Sequence, residues 1–300
     1  MKAVDSIKEM GYTVKDACKV IGISRSWYYA VKKRKDKRDV SVSRDKALLD
    51  EIKRIKGEHP YWGYRRVWAQ LFYRGKKKVN RKRVYRIMKE NGLLVSQVVH
   101  KAKRVEKRNK PRADRPLQYW GIDMTKFMIQ GVGWAYLHIV LDWYTKKIVG
   151  YNIALRSRTA EWKEVLDMAI MREFPEGVRG KGLRLISDNG SQPTSVSFMK
   201  ETKLLGIQQI FTSYNNPKGN ADTERMMRTI KEEVIWLEEF ETFEQAKGKI
   251  TKWIETDYNK SYVHSAIGYC SPEEFEKRYY ERVLGVSAWE RLSLKFENVS

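Results

Sequence analysis

Three consecutive apolar runs, residues 119–129, 134–144 and 147–155, constrain this chain more than any other feature of it. Each is rich in β-branched and aromatic side chains, which suit a pleated, buried surface. Gln130-Gly131-Val132-Gly133 separates the first run from the second, and Thr145-Lys146 the second from the third. Such short connections join neighbouring strands as hairpins, so the three runs predict an antiparallel meander.

Beyond the meander the pattern alternates. Apolar spacing predicts a helix from about Ala160 to Phe174, then a strand that ends at Asp188 where Asn189-Gly190 begins a turn. A helix near Val196–Leu205, a short strand over Ile207–Thr212 and a long helix opened by Glu224 follow. The order βββαβαβα is that of the ribonuclease-H-like fold. It predicts an α/β domain over residues 117–280, with a mixed five-stranded sheet and helices, and leaves 281–300 as a tail. Fold order alone does not fix function.

The N-terminal part differs in both charge and periodicity. Residues 1–116 hold 35 Lys and Arg against 12 Asp and Glu, whereas residues 117–300 hold 25 of each, so the whole net charge of +23 is N-terminal. A basic block beside a neutral globular one is the electrostatic footprint of a nucleic-acid-binding arm. Within residues 1–38, Val14, Ala17, Cys18 and Ile21 recur at helical spacing, Gly22 supplies a turn, and Ser24 is placed to cap a helix through Tyr28, Tyr29 and Val31. This is a helix-turn-helix pattern, with Arg25 at the start of its second helix as a DNA-contact candidate. Lys32-Lys33-Arg34-Lys35 would face phosphates or be solvated, and a short charged linker is expected next.

A second helical module is expected over residues 45–95. Leu48, Ile52 and Ile55 mark one helix; Tyr64, Val67, Trp68 and Leu71 mark another. A third, capped by Asn80 and ended by Gly92, buries Val84, Ile87 and Met88 and turns Arg81, Lys82, Arg83 and Arg86 outward. A basic helix with one apolar stripe can lie in a major groove, so these four are DNA-contact candidates. Residues 96–116, basic and containing Pro111 and Pro116, read as an extended linker able to track a DNA backbone. Two distant cysteines, Cys18 and Cys270, and four histidines without paired spacing exclude a disulfide framework and a zinc domain. With no apolar stretch of about 18 residues and no signal-peptide pattern, the expected location is the cytoplasm.

Three acids carry the chemistry. Asp123 lies within the first apolar run, Asp188 ends the fourth strand and Glu224 opens the long helix. Carboxylates converging from a strand, a strand end and a helix start require a cation, and hard oxygen ligands with open positions suit Mg²⁺ or Mn²⁺. That pattern suggests phosphoryl transfer by two ions, with Asp123 bridging them from the most rigid seat and Asp188 and Glu224 each completing one shell. Arg228 and Lys231, four and seven residues after Glu224, share its helical face and would meet DNA phosphates. Lys218, in the Gly-containing loop before that helix, is a further DNA-contact candidate. His264 is expected to pack or hydrogen-bond structurally.

Between Asp123 and Asp188 lie 64 residues, and between Asp188 and Glu224 lie 35. The second interval resembles that of the DDE transposases and retroviral integrases. Nearly the whole chain resembles the OrfB-type transposases of the bacterial insertion-sequence 3 family. His59-Pro60-Tyr61-Trp62-Gly63-Tyr64-Arg65-Arg66 is similar to that family's helical DNA-binding module, and Ser187-Asp188-Asn189-Gly190-Ser191-Gln192 to its second-acid signature. Tyr258-Asn259, His264-Ser265-Ala266-Ile267-Gly268-Tyr269 and Pro272 are similar to its C-terminal signature. Tyr262 departs from the pattern, standing where many relatives carry Arg.

The resemblance implies a prokaryotic, nucleoid-associated enzyme that binds the terminal inverted repeats of its element, nicks DNA to free a 3′-hydroxyl and joins that hydroxyl to a target. It also implies a copy-out, paste-in route through a circle, at least a dimer on double-stranded DNA, and a fused or separate upstream-frame product as partner. A ribonuclease-H-like nuclease without strand transfer, or a non-catalytic DNA-binding regulator derived from a transposase, are the alternative readings.

Overall fold

The computed structural model describes residues 2–95, 111–212 and 219–285 of the chain. These fall into a helical N-terminal unit and a larger α/β unit.

In the first unit α1 (Lys2–Glu9) and α2 (Val14–Ile21) pack on the start of α3 (Arg25–Glu58). Thr13 caps α2 and Ser24 caps α3, each side-chain oxygen accepting a backbone N–H of the first turn. Val4, Ala17, Cys18 and Tyr28 form the small core, and the Tyr28 hydroxyl donates to Asp5 at 2.8 Å. Two helices joined at Gly22 stand where the spacing predicts them. The linker expected after residue 38 is replaced by helix: α3 is one helix of 34 residues. No glycine or proline stands between Arg25 and Lys56 to end it.

The second half of α3 builds a further core with α4 (Tyr64–Ala69), its π-helical continuation Gln70–Arg74, and α5 (Arg81–Glu90). Ile52, Ile55, Val67, Leu71, Val84, Ile87 and Met88 are buried there, as their periodicity requires. The His59–Arg66 segment is the corner between α3 and α4. His59 ends α3 and stacks on buried Trp62 at 3.9 Å between ring centroids, and Gly63 starts α4. Asn80 caps α5 as expected, accepting from Lys82 N at 2.8 Å.

In the larger unit β1 (Tyr119–Ile129), β2 (Gly133–Asp142) and β3 (Ile148–Ala154) form the antiparallel meander. Then come α6 (Thr159–Glu173), β4 (Arg184–Ser187), α7 (Val196–Leu204), β5 (Gln208–Phe211) and α8 (Ala221–Glu233). The sheet order is β3-β2-β1-β4-β5, with β4 parallel to both β1 and β5. One face of the sheet buries Trp120, Ile122, Val140 and Leu185 against Trp162, Val165, Leu166 and Phe198 of α6 and α7. The other face receives α8, whose Met226, Met227 and Ile230 are buried.

A C-terminal helical segment completes this unit: α9 (Phe243–Lys252), a π-helical turn over Trp253–Tyr258, α10 (Asn259–Ser261) and α11 (Pro272–Leu284). Helix α11 extends past residue 280, so part of the expected tail is helical. Asn259 works as a missing strand neighbour. Its amide accepts from Ile148 N at 3.1 Å and donates to Ile148 O at 3.0 Å, satisfying the outer edge of β3. The Tyr258 hydroxyl adds a bond to Lys146 O at 2.7 Å. The Tyr-Asn signature therefore docks the C-terminal helices on the β2–β3 hairpin. Tyr262, the departure from the family pattern, is buried with its hydroxyl on Glu233.

Candidate active site

Register brings the first two acids together. β1 and β4 pair with Gly121 opposite Ile186. Carried two residues further, that parallel register sets Asp188, just past the end of β4, beside Asp123 and on the same face of the sheet. The third acid arrives with α8, which is seated on β1 at Gly121. A Cβ on Gly121 would lie 1.9 Å from Thr223 Oγ1 and 2.4 Å from Trp143 Nε1, so only glycine permits the approach. Trp143 Nε1 donates to Thr223 Oγ1 at 3.1 Å, and Lys146 bridges to Asp222 at 3.1 Å. The first turn of α8, carrying Glu224, is thereby fixed over the strand that carries Asp123.

Electrostatics report the same convergence. Asp123 is half-buried, and its pKa is pushed up to about 7. Burial is the largest cause; the nearby Asp188 and Glu224 carboxylates add to it, while the Met124 N–H and the Lys231 ammonium oppose it. Asp188 and Glu224 are exposed. Asp123 Oδ1 accepts from Met124 N at 2.8 Å and Asp188 Oδ1 from Gly190 N at 3.0 Å. Among the described residues no three His, Cys, Asp or Glu side chains lie close enough together to hold a metal ion as they stand.

Asp142 shows how a buried structural acid differs. Burial raises its pKa to about 6, yet its two oxygens accept from Leu117 N at 2.7 Å, Tyr144 N at 2.9 Å and Thr145 N at 2.8 Å. The Tyr144 and Thr145 bonds shape the β2–β3 turn, and the Leu117 bond ties the segment before β1 to it. Two residues beside Asp188 are also structural in their bonds. Asn189 donates its amide to Thr212 O, and Gln192 Nε2 donates to Ser157 O at 3.1 Å.

The basic candidates divide. Lys231 is half-buried and close enough to Asp123 to affect its ionisation. Arg228 is exposed and pairs with Glu232 at 2.8 Å, not with Glu224. Lys218 lies outside the described residues. In the helical unit, Arg25 is exposed at the start of α3, and Arg81 and Lys82 are exposed at the start of α5. Arg83 and Arg86 instead clasp Asp45 of α3, both at 2.7 Å, and hold its carboxyl below the usual range, the Arg86 hydrogen bond being the largest cause. The sequence reading missed Gly121, Thr223 and Trp143. A glycine inside an apolar strand was the available signal for a close approach; nothing local marks the other two.

A mixed sheet of this order, with an acid on its central strand, a second at the adjoining strand end and a third at the start of the covering helix, defines a ribonuclease-H-like core. Integrase core domain models match residues 113–217 and 205–272, and an HTH-like domain model matches residues 43–102. The transposase for insertion sequence element IS904 of Lactococcus lactis subsp. lactis (strain IL1403) is 31% identical over 242 residues, spanning 77% of this chain and 93% of that protein. The transposase for insertion sequence element IS629 of Shigella sonnei is 27% identical over 299 residues, spanning 94% and 97%. The HTLV-2 integrase catalytic core domain, in a structure with magnesium, aligns at a TM-score of 0.43 and 17% identity over 55% of this chain and 99% of that one. The chain belongs to the insertion-sequence transposases, in the insertion-sequence 3 family.

Proposed function

We propose that this transposase binds the terminal inverted repeats of its element through its helical modules and uses Asp123, Asp188 and Glu224 to nick DNA and transfer the strand. The reading is supported above all by geometry: the register of β4 on β1 sets Asp188 beside Asp123, and α8, seated at Gly121, brings Glu224 over the same strand. Burial first, and then the neighbouring carboxylates, makes an ionised Asp123 costly. The donor set, three hard carboxylates with no sulfur or imidazole, fits Mg²⁺ or Mn²⁺, and among the described residues Oδ2 of Asp123 and of Asp188 accepts no protein hydrogen bond. A pair of such ions, when bound, would supply a water of lowered pKa and charge stabilisation at the leaving oxygen.

The protein's own groups hold the geometry. The Met124 and Gly190 N–H groups orient Asp123 and Asp188, and Lys231 brings a cation to the phosphate. In nicking, the water oxygen bonds to phosphorus and the P–O3′ bond breaks, freeing a 3′-hydroxyl and leaving a 5′-phosphate. In joining, that 3′-oxygen bonds to a target phosphorus as the target's own P–O3′ bond breaks. Of the candidate module residues, Arg25, Arg81 and Lys82 are exposed and would meet phosphates. Because two ends must be paired, the working form is at least a dimer on cytoplasmic, nucleoid DNA, with an upstream-frame product, fused or separate, as a further partner. Among the described residues no helix is long and apolar enough to cross a membrane.

The test uses the full chain with Asp123→Asn, Asp188→Asn and Glu224→Gln, one at a time, on duplexes that carry an element end. Nicking and joining should fall at least about 10³-fold with end binding within about twofold. Wild-type nicking by any one variant removes that residue from the site; nicking without joining in the wild type favours the nuclease alternative.

A further inference from the structure

The acids occupy one face of the sheet; the opposite face carries a surface that the reaction as described leaves unused. Lys126, Met128, Trp134 and Tyr136 alternate onto it from β1 and β2, in register as Lys126 opposite Tyr136 and Met128 opposite Trp134. Met128 is 53% exposed and Trp134 47%. The Lys126 ammonium sits 4.4 Å from the Trp134 ring centroid. Arg156 follows two residues after Ala154, which pairs with Tyr136, so it lies at the same end of the sheet and is exposed. Among the described residues neither Lys126 nor Arg156 has a carboxylate partner. All of this is at the carboxyl end of β1, β3 and β4, the end that carries Asp188.

We propose that this aromatic and cationic surface holds target DNA, contacting its phosphates and sugars without reading sequence. One cation over an exposed indole, with a second at the same end of the sheet, matches a polyanion, and the ring offers a flat apolar face to sugars or splayed bases. A second copy of the chain fits poorly. Isologous pairing would set the patch that carries Lys126 and Arg156 against its own copy, like charge near like charge. The location also answers a need. Residues 117–300 carry no net charge, so the core must draw a second duplex by local cations while the helical modules hold the element's ends. The inference rests on the proposed cutting and joining activity.

The experiment compares the full-length Lys126→Ala/Arg156→Ala variant with wild type in Mg²⁺, measuring end nicking and joining to a plasmid separately. Expected are nicking within about twofold, a rise of about tenfold in the plasmid concentration for half-maximal joining, and a salt dependence shallower by roughly two phosphate contacts. The Lys126→Arg/Arg156→Lys variant should restore joining, which excludes a folding defect. Equal loss of nicking and joining, or unchanged joining with the wild-type salt slope, overturns the surface. So does loss of self-association with target affinity intact, which would make the face a protein interface. If wild type neither nicks nor joins, the activity reading fails first and the surface falls with it.

Discussion

His138 sits in the middle of β2, fully buried, with Nε2 2.9 Å from Ser157 Oγ. Trp162 Nε1 donates to that same Oγ at 3.3 Å, which leaves the Ser157 proton for the imidazole. Burial lowers the His138 pKa from 6.5 to about 4. Between those values the unfolded chain binds a proton that the folded one refuses. The contribution is fully present above pH 6.5 and is lost as pH falls toward about 4. Asp142, raised by burial, slopes the other way, so the difference between two proteins is what isolates the histidine. On acidification from pH 7 to 5, wild type should lose about 2 kcal/mol more stability in urea unfolding than His138→Gln does. Parallel pH profiles would show that another group titrates.

At the scale of elements, the approach of α8 to β1 is decided by one missing methyl group. Gly121→Ala should leave the sheet and helix signals of circular dichroism in place but displace the first turn of α8. An error of about 1 Å there should lower nicking about 10²-fold. Nicking within twofold of wild type would show that Glu224 does not depend on this contact. Much of the element plan was legible in the sequence: β1 coincides with its apolar run, and α6 and α7 lie within a residue or so of their expected limits, because periodicity and caps are local signals. What was illegible depends on distant partners. Arg83 and Arg86 look like outward cations until Asp45, some forty positions earlier, is folded against them. Asn259 gave no sign that it would complete the edge of β3, more than a hundred residues away. The elements that seat Asp123, Asp188 and Glu224 were readable in the alternation of strands and helices, whereas the docking of α8 by Thr223 and Trp143 is tertiary.

Over the whole molecule, charge and fold divide the chain at nearly the same place. The net +23 belongs to residues 1–116 and the mixed sheet to the neutral remainder, so on the proposed function attraction to DNA and chemistry on it would be encoded separately. Within the helical unit, α3 links the first module to the second without a break. At 1.5 Å per residue it is a rod of about 50 Å, and each added residue would turn one module about 100° relative to the other. A two-residue insertion after Asp39 should throw the modules out of phase, abolish one of two protected segments in footprints on repeat DNA, and weaken binding at least about tenfold. An insertion of 25 residues returns nearly to phase and lengthens the rod by roughly 37 Å, about one turn of B-DNA, so both segments should stay protected on a repeat lengthened by about eleven base pairs. Equal binding of all three proteins to the natural repeat would mean that the helix sets no spacing. On the proposed function, a rod of fixed phase would make the protein a gauge of distance along DNA: the element's ends could change base by base, but the interval between the two recognised segments could change only in step with the helix that spans them.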